Sequence, residues 1–135
     1  MSTKLTDFPE ITKGFAGKLR RVGIRSPYSL LKKASKPGQR NMFAKKIGVP
    51  ARKLTEWVTE ADFTRIRGIG GRFACLLQSC GIKNLKQLGT RKPDALLKQM
   101  KSTNDKKHYV KQLPSQKQVS TWVRKAKSIK NVVNY

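Results

Sequence analysis

Acidic residues are scarce in this sequence of 135 residues. Only 7 are Asp or Glu, against 31 Lys and Arg, so the formal net charge is +24. Such an imbalance opposes folding through self-repulsion and therefore indicates a polyanionic partner. Nucleic acid is the first candidate for that partner, an anionic membrane surface the second and an acidic protein the third.

Cysteine, histidine and long apolar runs are also rare. There are two cysteines, one histidine and no Cys-x-x-Cys pattern, which argues against a metal site. Cys75 and Cys80 are poorly oriented to bridge on one helix, so we expect reduced thiols. No apolar run approaches the ~20 residues that span a bilayer, and the first residues lack the apolar region of a signal peptide. We therefore expect a cytoplasmic protein, associated with the nucleoid in a bacterium, without a membrane partner, small-molecule substrate or cofactor.

Two parts of the chain resemble each other. Residues 11–24 (ITKGFAGKLRRVGI) and 69–82 (IGGRFACLLQSCGI) are identical at six positions. A later match joins two sets with the i, i+3, i+4, i+7 spacing of one helix face. These sets are Leu54, Trp57, Val58 and Ala61, and Val119, Trp122, Val123 and Ala126. The sequence thus predicts an internal duplication in which each half ends on a helix with a buried tryptophan.

Capping signals predict helices throughout the chain, and no segment alternates at period two. Ser26 and Ser115 are suited to begin helices, and Gly23 and Gly81 to follow helix ends. We predict an all-α fold in which two repeats pack as a pseudo-symmetric helical domain. The predicted division is a first repeat over residues 1–61, a second repeat over 62–130, and a frayed or loosely docked tail over 131–135.

The segment 63–88 contains the most informative motif. We predict a short first helix with Phe63 and Ile66 on its apolar side, a tight turn at Gly68-Ile69-Gly70 and a second helix over Arg72–Cys80. Glycines let the backbone turn sharply and approach a phosphate, and the free N–H groups of a helix N-terminus suit an anionic oxygen. Burial of Ile69 would anchor the turn. The predicted nucleic-acid contacts in this half are Arg65, Arg67, Gly68, Ile69, Gly70, Gly71 and Arg72.

This segment resembles the helix-hairpin-helix motif of DNA-binding and repair proteins, through Ile66, Gly68-Ile69-Gly70, Ala74, Leu77 and Gly81-Ile82. Residues 54–130 as a whole are similar to a family of uncharacterised tandem helix-hairpin-helix modules, found mostly in bacteria. The resemblance implies a nucleic-acid-binding fold. Contacts of this kind grip the phosphate backbone and do not read bases. Residues 64–70 also resemble the hairpin of a small-subunit ribosomal protein, which keeps RNA as an alternative partner.

The first half departs from this motif. Glu10 and Thr12 stand where the second half has Gly68 and Gly70. A glutamate repels phosphate, and the sharp turn is made less easily without glycine. We therefore expect a degenerate first hairpin that is mainly structural, with basic side chains assisting from outside the turn. The candidate contacts of this half are Lys13 and Lys18.

The few carboxylates do not predict a catalytic centre. Only Glu56, Glu60 and Asp62 cluster along the chain, and we expect them to be exposed, with Asp62 capping the next helix. Asp94 falls in the first turn of a predicted helix, where a carboxylate suits the helix dipole. We therefore expect a non-enzymatic protein that binds duplex DNA through backbone phosphates. The alternatives are an RNA- or ribosome-associated protein and a scaffold for an acidic protein.

Overall fold

A computed structural model describes residues 4–135, which form eight α-helices and no β-strand, so the predicted all-α class is confirmed. A single 3₁₀ turn at Leu5–Asp7 precedes the helices. These are α1 (Lys13–Arg21), α2 (Pro27–Lys33), α3 (Pro37–Ile47), α4 (Ala51–Phe63), α5 (Gly71–Ser79), α6 (Leu85–Gly89), α7 (Pro93–Lys107) and α8 (Gln116–Ser128).

The two tryptophan-bearing helices organise the core. Helix α4 packs against α2, α3 and α5, whereas α8 packs against α6 and α7. Helix α5 also contacts α7 and the 3₁₀ turn, so it links the beginning of the chain to its second half. Trp57 and Trp122 are both buried, as predicted, and a single apolar cluster extends through both halves.

The predicted helix boundaries agree with the structure at the capping residues. The Ser26 hydroxyl accepts a hydrogen bond from the Ser29 backbone N–H at 3.0 Å, and the Ser115 hydroxyl accepts one from Gln118 at 3.1 Å. Gly23 and Gly81 follow α1 and α5 with φ values of 88° and 85°. These two positions therefore use the left-handed conformation that favours glycine.

The prediction of a separate short helix around Phe63 and Ile66 is wrong. Helix α4 continues to Phe63, and residues 64–68 form irregular turns. The Thr64 hydroxyl donates to the Ala61 carbonyl at 2.6 Å, and the Ile66 N–H donates to the Phe63 carbonyl at 3.1 Å, which closes the end of the helix. The predicted division at residue 61 thus lies inside α4.

The C-terminal tail is docked, which corrects the expectation of a frayed or loosely docked segment. Val133 is buried, and the Asn134 N–H donates to the Ser35 carbonyl at 2.8 Å. The buried Arg40 guanidinium donates to the Asn134 carbonyl at 2.6 Å, and the Tyr135 hydroxyl lies 2.9 Å from the Thr59 hydroxyl. The tail therefore runs from the end of α8 back onto the first half, where a buried cation needs its carbonyl.

Candidate functional site

The turn between α4 and α5 is held by its backbone and by one buried side chain. The Ile69 N–H donates to the Ile66 carbonyl at 3.1 Å, and the Ile69 side chain is buried, as predicted. Gly68 has a φ of 96°, which favours glycine. A Cβ at Gly68 would also lie 3.1 Å from Nε1 of Trp122, so the turn packs closely against α8.

Helix α5 begins with an N-terminus that no side chain caps. Gly70 is the N-cap residue, and its carbonyl accepts from the Ala74 N–H at 2.9 Å. The N–H groups of the first turn have no acceptor within the helix, so they carry its positive dipole end. A Cβ at Gly70 would meet nothing within 4 Å, which leaves room for an incoming group. This end of α5 is therefore accessible to an anion.

Gly71 lies in a packed contact. It is buried, and a Cβ there would come within 2.6 Å of the Asp7 carbonyl oxygen. Its neighbour Gly70 is exposed. The two adjacent glycines thus have different surroundings: Gly70 faces the solvent, and Gly71 lets α5 rest against the 3₁₀ turn.

The three predicted arginines differ in how freely their charge can be used. Arg65 is partly buried and donates to Asp62 Oδ1 at 2.9 Å and to the Lys130 carbonyl at 2.7 Å. Arg72 is exposed and donates to the Tyr109 carbonyl at 3.0 Å. Arg67 is exposed, and its side chain makes no ion pair or hydrogen bond to any of residues 4–135. Arg65 therefore has a structural role, while Arg67 and Arg72 remain available beside the turn.

A shallow groove of about 500 Å³ adjoins the N-terminus of α5. Asp7 lines one side, and Val110, Lys111 and Gln112 line the other. The Asp7 carboxylate accepts from the Lys4 backbone N–H at 2.7 Å. Lys111 was not predicted as a site residue. It reaches this place because the loop after α7 is held by the bond from Arg72 to Tyr109, a contact without a local sequence signal.

The N-terminus of α1 is finished differently. The Thr12 hydroxyl accepts from the Phe15 N–H at 3.3 Å and so caps the helix. Glu10 accepts from Lys53 at 3.0 Å, so its negative charge is paired within the protein. Lys13 is exposed, and the exposed Lys18 ammonium lies 5.6 Å from the Phe15 ring centroid. A threonine three residues before the first apolar residue of a helix, as Thr12 stands before Phe15, is a sequence signal that could have identified this cap.

The expectation that the carboxylates near the end of α4 are exposed is wrong for two of them. Glu60 and Asp62 are buried, and Glu56 is half-buried. Burial raises the pKa of Asp62, and the hydrogen bond from Arg65 opposes the shift. The expectation that Asp62 caps the next helix is also wrong, because Asp62 lies inside α4 and the N-cap residue of α5 is Gly70. These residues are buried because α4 is covered by α2, α3 and α5, which periodicity within α4 alone does not reveal.

Glu60 is the most unusual of these groups. Neither carboxylate oxygen has a hydrogen-bond partner among residues 4–135. Burial raises its pKa to about 8, and the negative charges of Glu10 and Glu56 act in the same direction. Glu60 is therefore largely protonated at neutral pH and carries little negative charge.

The cysteines and the remaining acids do not form a reactive cluster. Burial raises the pKa of the Cys75 thiol to about 12 and also raises that of Cys80, so neither is a thiolate at neutral pH. Within residues 4–135, no three His, Cys, Asp or Glu side chains are close enough to hold a metal ion.

None of the helices formed by these residues combines the length and apolarity needed to cross a membrane.

Comparison with known proteins identifies one family. The family described as a domain of unknown function, DUF4332, matches residues 9–129, and the chain therefore belongs to it. No curated protein and no solved structure matches the chain.

Proposed function

We propose that this member of the DUF4332 family binds nucleic acid through backbone phosphates, without catalysing a reaction, and that duplex DNA is its preferred partner. The observation that carries the proposal is the uncapped N-terminus of α5 behind the Gly68-Ile69-Gly70 turn. Free backbone N–H groups and a positive dipole end form an anion site without further side chains. The exposed Arg67 and Arg72 add formal charge on either side of it.

The surrounding charge supports a polyanion over a single small anion. The chain has a formal net charge of +24, which attracts any nucleic acid and accelerates its encounter. In the groove beside α5, Lys111 and Arg72 supply two positive charges against the one negative charge of Asp7. Contacts to backbone N–H groups and to arginine recognise phosphate and not bases, so we infer little sequence preference.

We further infer that each half is a helix-hairpin-helix repeat. Phe15 and Trp57 have ring centroids 5.4 Å apart at 58°, and Phe73 and Trp122 have centroids 5.3 Å apart at 57°. The similar pairs lie at matching positions of the two halves. The first hairpin is the degenerate one, because its helix N-terminus is already occupied by Thr12.

The proposal is tested by placing a carboxylate at the open helix end. Gly70→Glu should weaken duplex DNA binding about tenfold or more, because the new side chain competes with phosphate for the N–H groups. Gly38→Glu is the matched control, because a Cβ at that exposed position in the first turn of α3 also meets nothing within 4 Å. Both variants change the charge equally, and we expect the control to lose less than about twofold.

Fluorescence anisotropy over a salt series measures both variants, and circular dichroism verifies their helical content. The slope of log affinity against log salt counts the phosphates contacted, with about 0.9 per phosphate for duplex DNA. The same titrations with duplex RNA and single-stranded DNA rank the partners. Equal affinity of the two folded variants for DNA would contradict the proposed site. Tighter binding of the unaltered protein to RNA than to DNA would show that RNA is the preferred partner.

A further inference from the structure

We propose that a second basic groove, between α6 and α8, binds another nucleic-acid segment, so that one molecule bridges two segments. This inference rests on the proposed function and extends it from binding to bridging. The groove, called the α6–α8 groove here, is lined by six cationic side chains. They are Lys86, Arg91, Lys92, Arg124, Lys127 and Lys130.

The groove consists of two adjoining hollows along α8. Two hollows of about 650 Å³ and 610 Å³ share Gly89, Thr90 and Lys127 in their walls. Gly89 is buried against α8: a Cβ there would lie 3.1 Å from Lys127 Cγ and 3.3 Å from the Lys127 backbone nitrogen. The absence of a side chain at Gly89 therefore lets the two helices meet closely and places Lys127 in the wall that both hollows share.

The cations of the groove lack partners in the protein. None of the six side chains makes an ion pair or hydrogen bond to any of residues 4–135, and no Asp or Glu lines either hollow. At the hairpin, in contrast, Arg65 and Arg72 both donate to backbone carbonyls. Six unpaired cations along one groove repel each other, and a chain of phosphates relieves that repulsion while releasing its own counterions.

One end of the groove adjoins the hairpin, because the Lys130 carbonyl accepts from Arg65 at 2.7 Å, but the end around Arg124 lies on a different side of α8. Trp122 faces the hairpin, where its indole nitrogen approaches Gly68. Arg124 is two residues further along the helix and so projects about 200° around its axis from Trp122. A duplex held at the hairpin therefore leaves the end of the groove around Lys92 and Arg124 open to a second segment. Nucleic acid fits this groove because its evenly spaced phosphates can meet several cations in sequence.

A bridging assay tests this inference with the full chain. One duplex is immobilised on beads, a second labelled duplex is added, and the captured label is measured against protein concentration. The double variant Lys92→Glu/Arg124→Glu should lower capture about tenfold. Its affinity for a single duplex, measured by anisotropy, should fall less than about threefold because the hairpin is unchanged.

The matched control is Lys45→Glu/Lys46→Glu, at exposed positions on α3 outside the groove, with the same change in charge. It should bridge like the unaltered protein. Undiminished capture by the groove variant, or equal losses in both double variants, would overturn the inference while leaving hairpin binding intact. Absence of single-duplex binding by the unaltered protein would instead overturn the proposed function. If polyglutamate displaces the second duplex as well as unlabelled DNA does, the groove binds acidic protein and the inference fails.

Discussion

Helices α1 and α5 are both nine residues long and carry their apolar residues at matching positions, yet their N-termini are completed in different ways. In α1, the Thr12 hydroxyl occupies a backbone N–H of the first turn. In α5, Gly70 supplies no side chain and leaves the first turn open. The two helix ends therefore differ in their N-cap residue. Thr12 satisfies a backbone N–H of α1 within the protein, whereas Gly70 leaves the N–H groups of α5 free for an external anion.

A second difference lies in the closing helices. In α4, every residue from Trp57 to Phe63 is buried, whereas α8 buries only one face. The match between the two halves aligns the buried Glu60 with the exposed Lys125. Equivalent positions in sequence thus lie at the centre of the molecule in one half and at its surface in the other.

Replacement of Glu60 should have the largest effect on stability. Its pKa rises from 4.5 to about 8 in the folded protein, so the folded state retains a proton that the unfolded state loses. Stability therefore falls as pH rises from 4.5 to about 8 and then levels off. Glu60→Gln removes this loss, and we expect the variant to be more stable by ~2–4 kcal/mol at pH ~9 but similar at pH ~4.

Urea unfolding at several pH values measures this effect, with Lys125→Gln as the control at the aligned position. The control should differ by less than ~0.5 kcal/mol at each pH, because Lys125 is exposed. A Glu60→Gln variant whose stability still declines with pH in the same way would show that Glu60 is not the group responsible.

The two adjacent glycines at the start of α5 should respond unequally to a methyl group. Gly71→Ala should destabilise the fold by ~1–3 kcal/mol, because the new Cβ meets the Asp7 carbonyl. Gly70→Ala should cost less than ~0.5 kcal/mol, since open space surrounds it. Thermal or urea unfolding distinguishes them, and equal losses would mean that α5 does not rest tightly on the 3₁₀ turn.

Charge reversal should reveal which helix end binds nucleic acid. Arg72→Glu should weaken duplex DNA binding about tenfold, while Lys13→Glu at the start of α1 should weaken it about twofold. Both residues are exposed in the first turn of equivalent helices, so folding is affected little. Anisotropy titrations at fixed salt give the two affinities. A larger loss for Lys13→Glu would make the first hairpin the principal contact.

Exchange of the capping residues should give the smallest change in stability. Thr12→Ala removes a cap and should cost ~1 kcal/mol. Gly70→Ser adds a hydroxyl at the corresponding place in α5, and we expect a gain of a few tenths of a kcal/mol. The serine should also weaken DNA binding, because it satisfies an N–H group that phosphate would use. Improved DNA binding by Gly70→Ser would contradict an anion site at these N–H groups.

Local features of the fold were predictable from the sequence, and contacts between distant segments were not. Short-range signals located the glycines after α1 and α5, the serine caps and the buried tryptophans. They failed at Glu60 and Asp62, whose burial depends on α2, α3 and α5 surrounding α4. At the hairpin, the sequence identified the turn and its exposed arginines. It could not reveal that Arg65 is held by the Lys130 carbonyl, 65 residues further along the chain.

The docked tail has a consequence for the order in which the chain can fold during its synthesis. Arg40 is buried in the first half, and its acceptor, the Asn134 carbonyl, is 94 residues further along the chain. The Ser35 carbonyl also has its hydrogen-bond donor at Asn134, whose backbone N–H lies 2.8 Å away. On the ribosome Asn134 emerges long after Arg40, because 94 residues of chain separate the two. The first-half helices therefore complete these hydrogen bonds only after residues up to Asn134 have been synthesised, even though the helices themselves are made first.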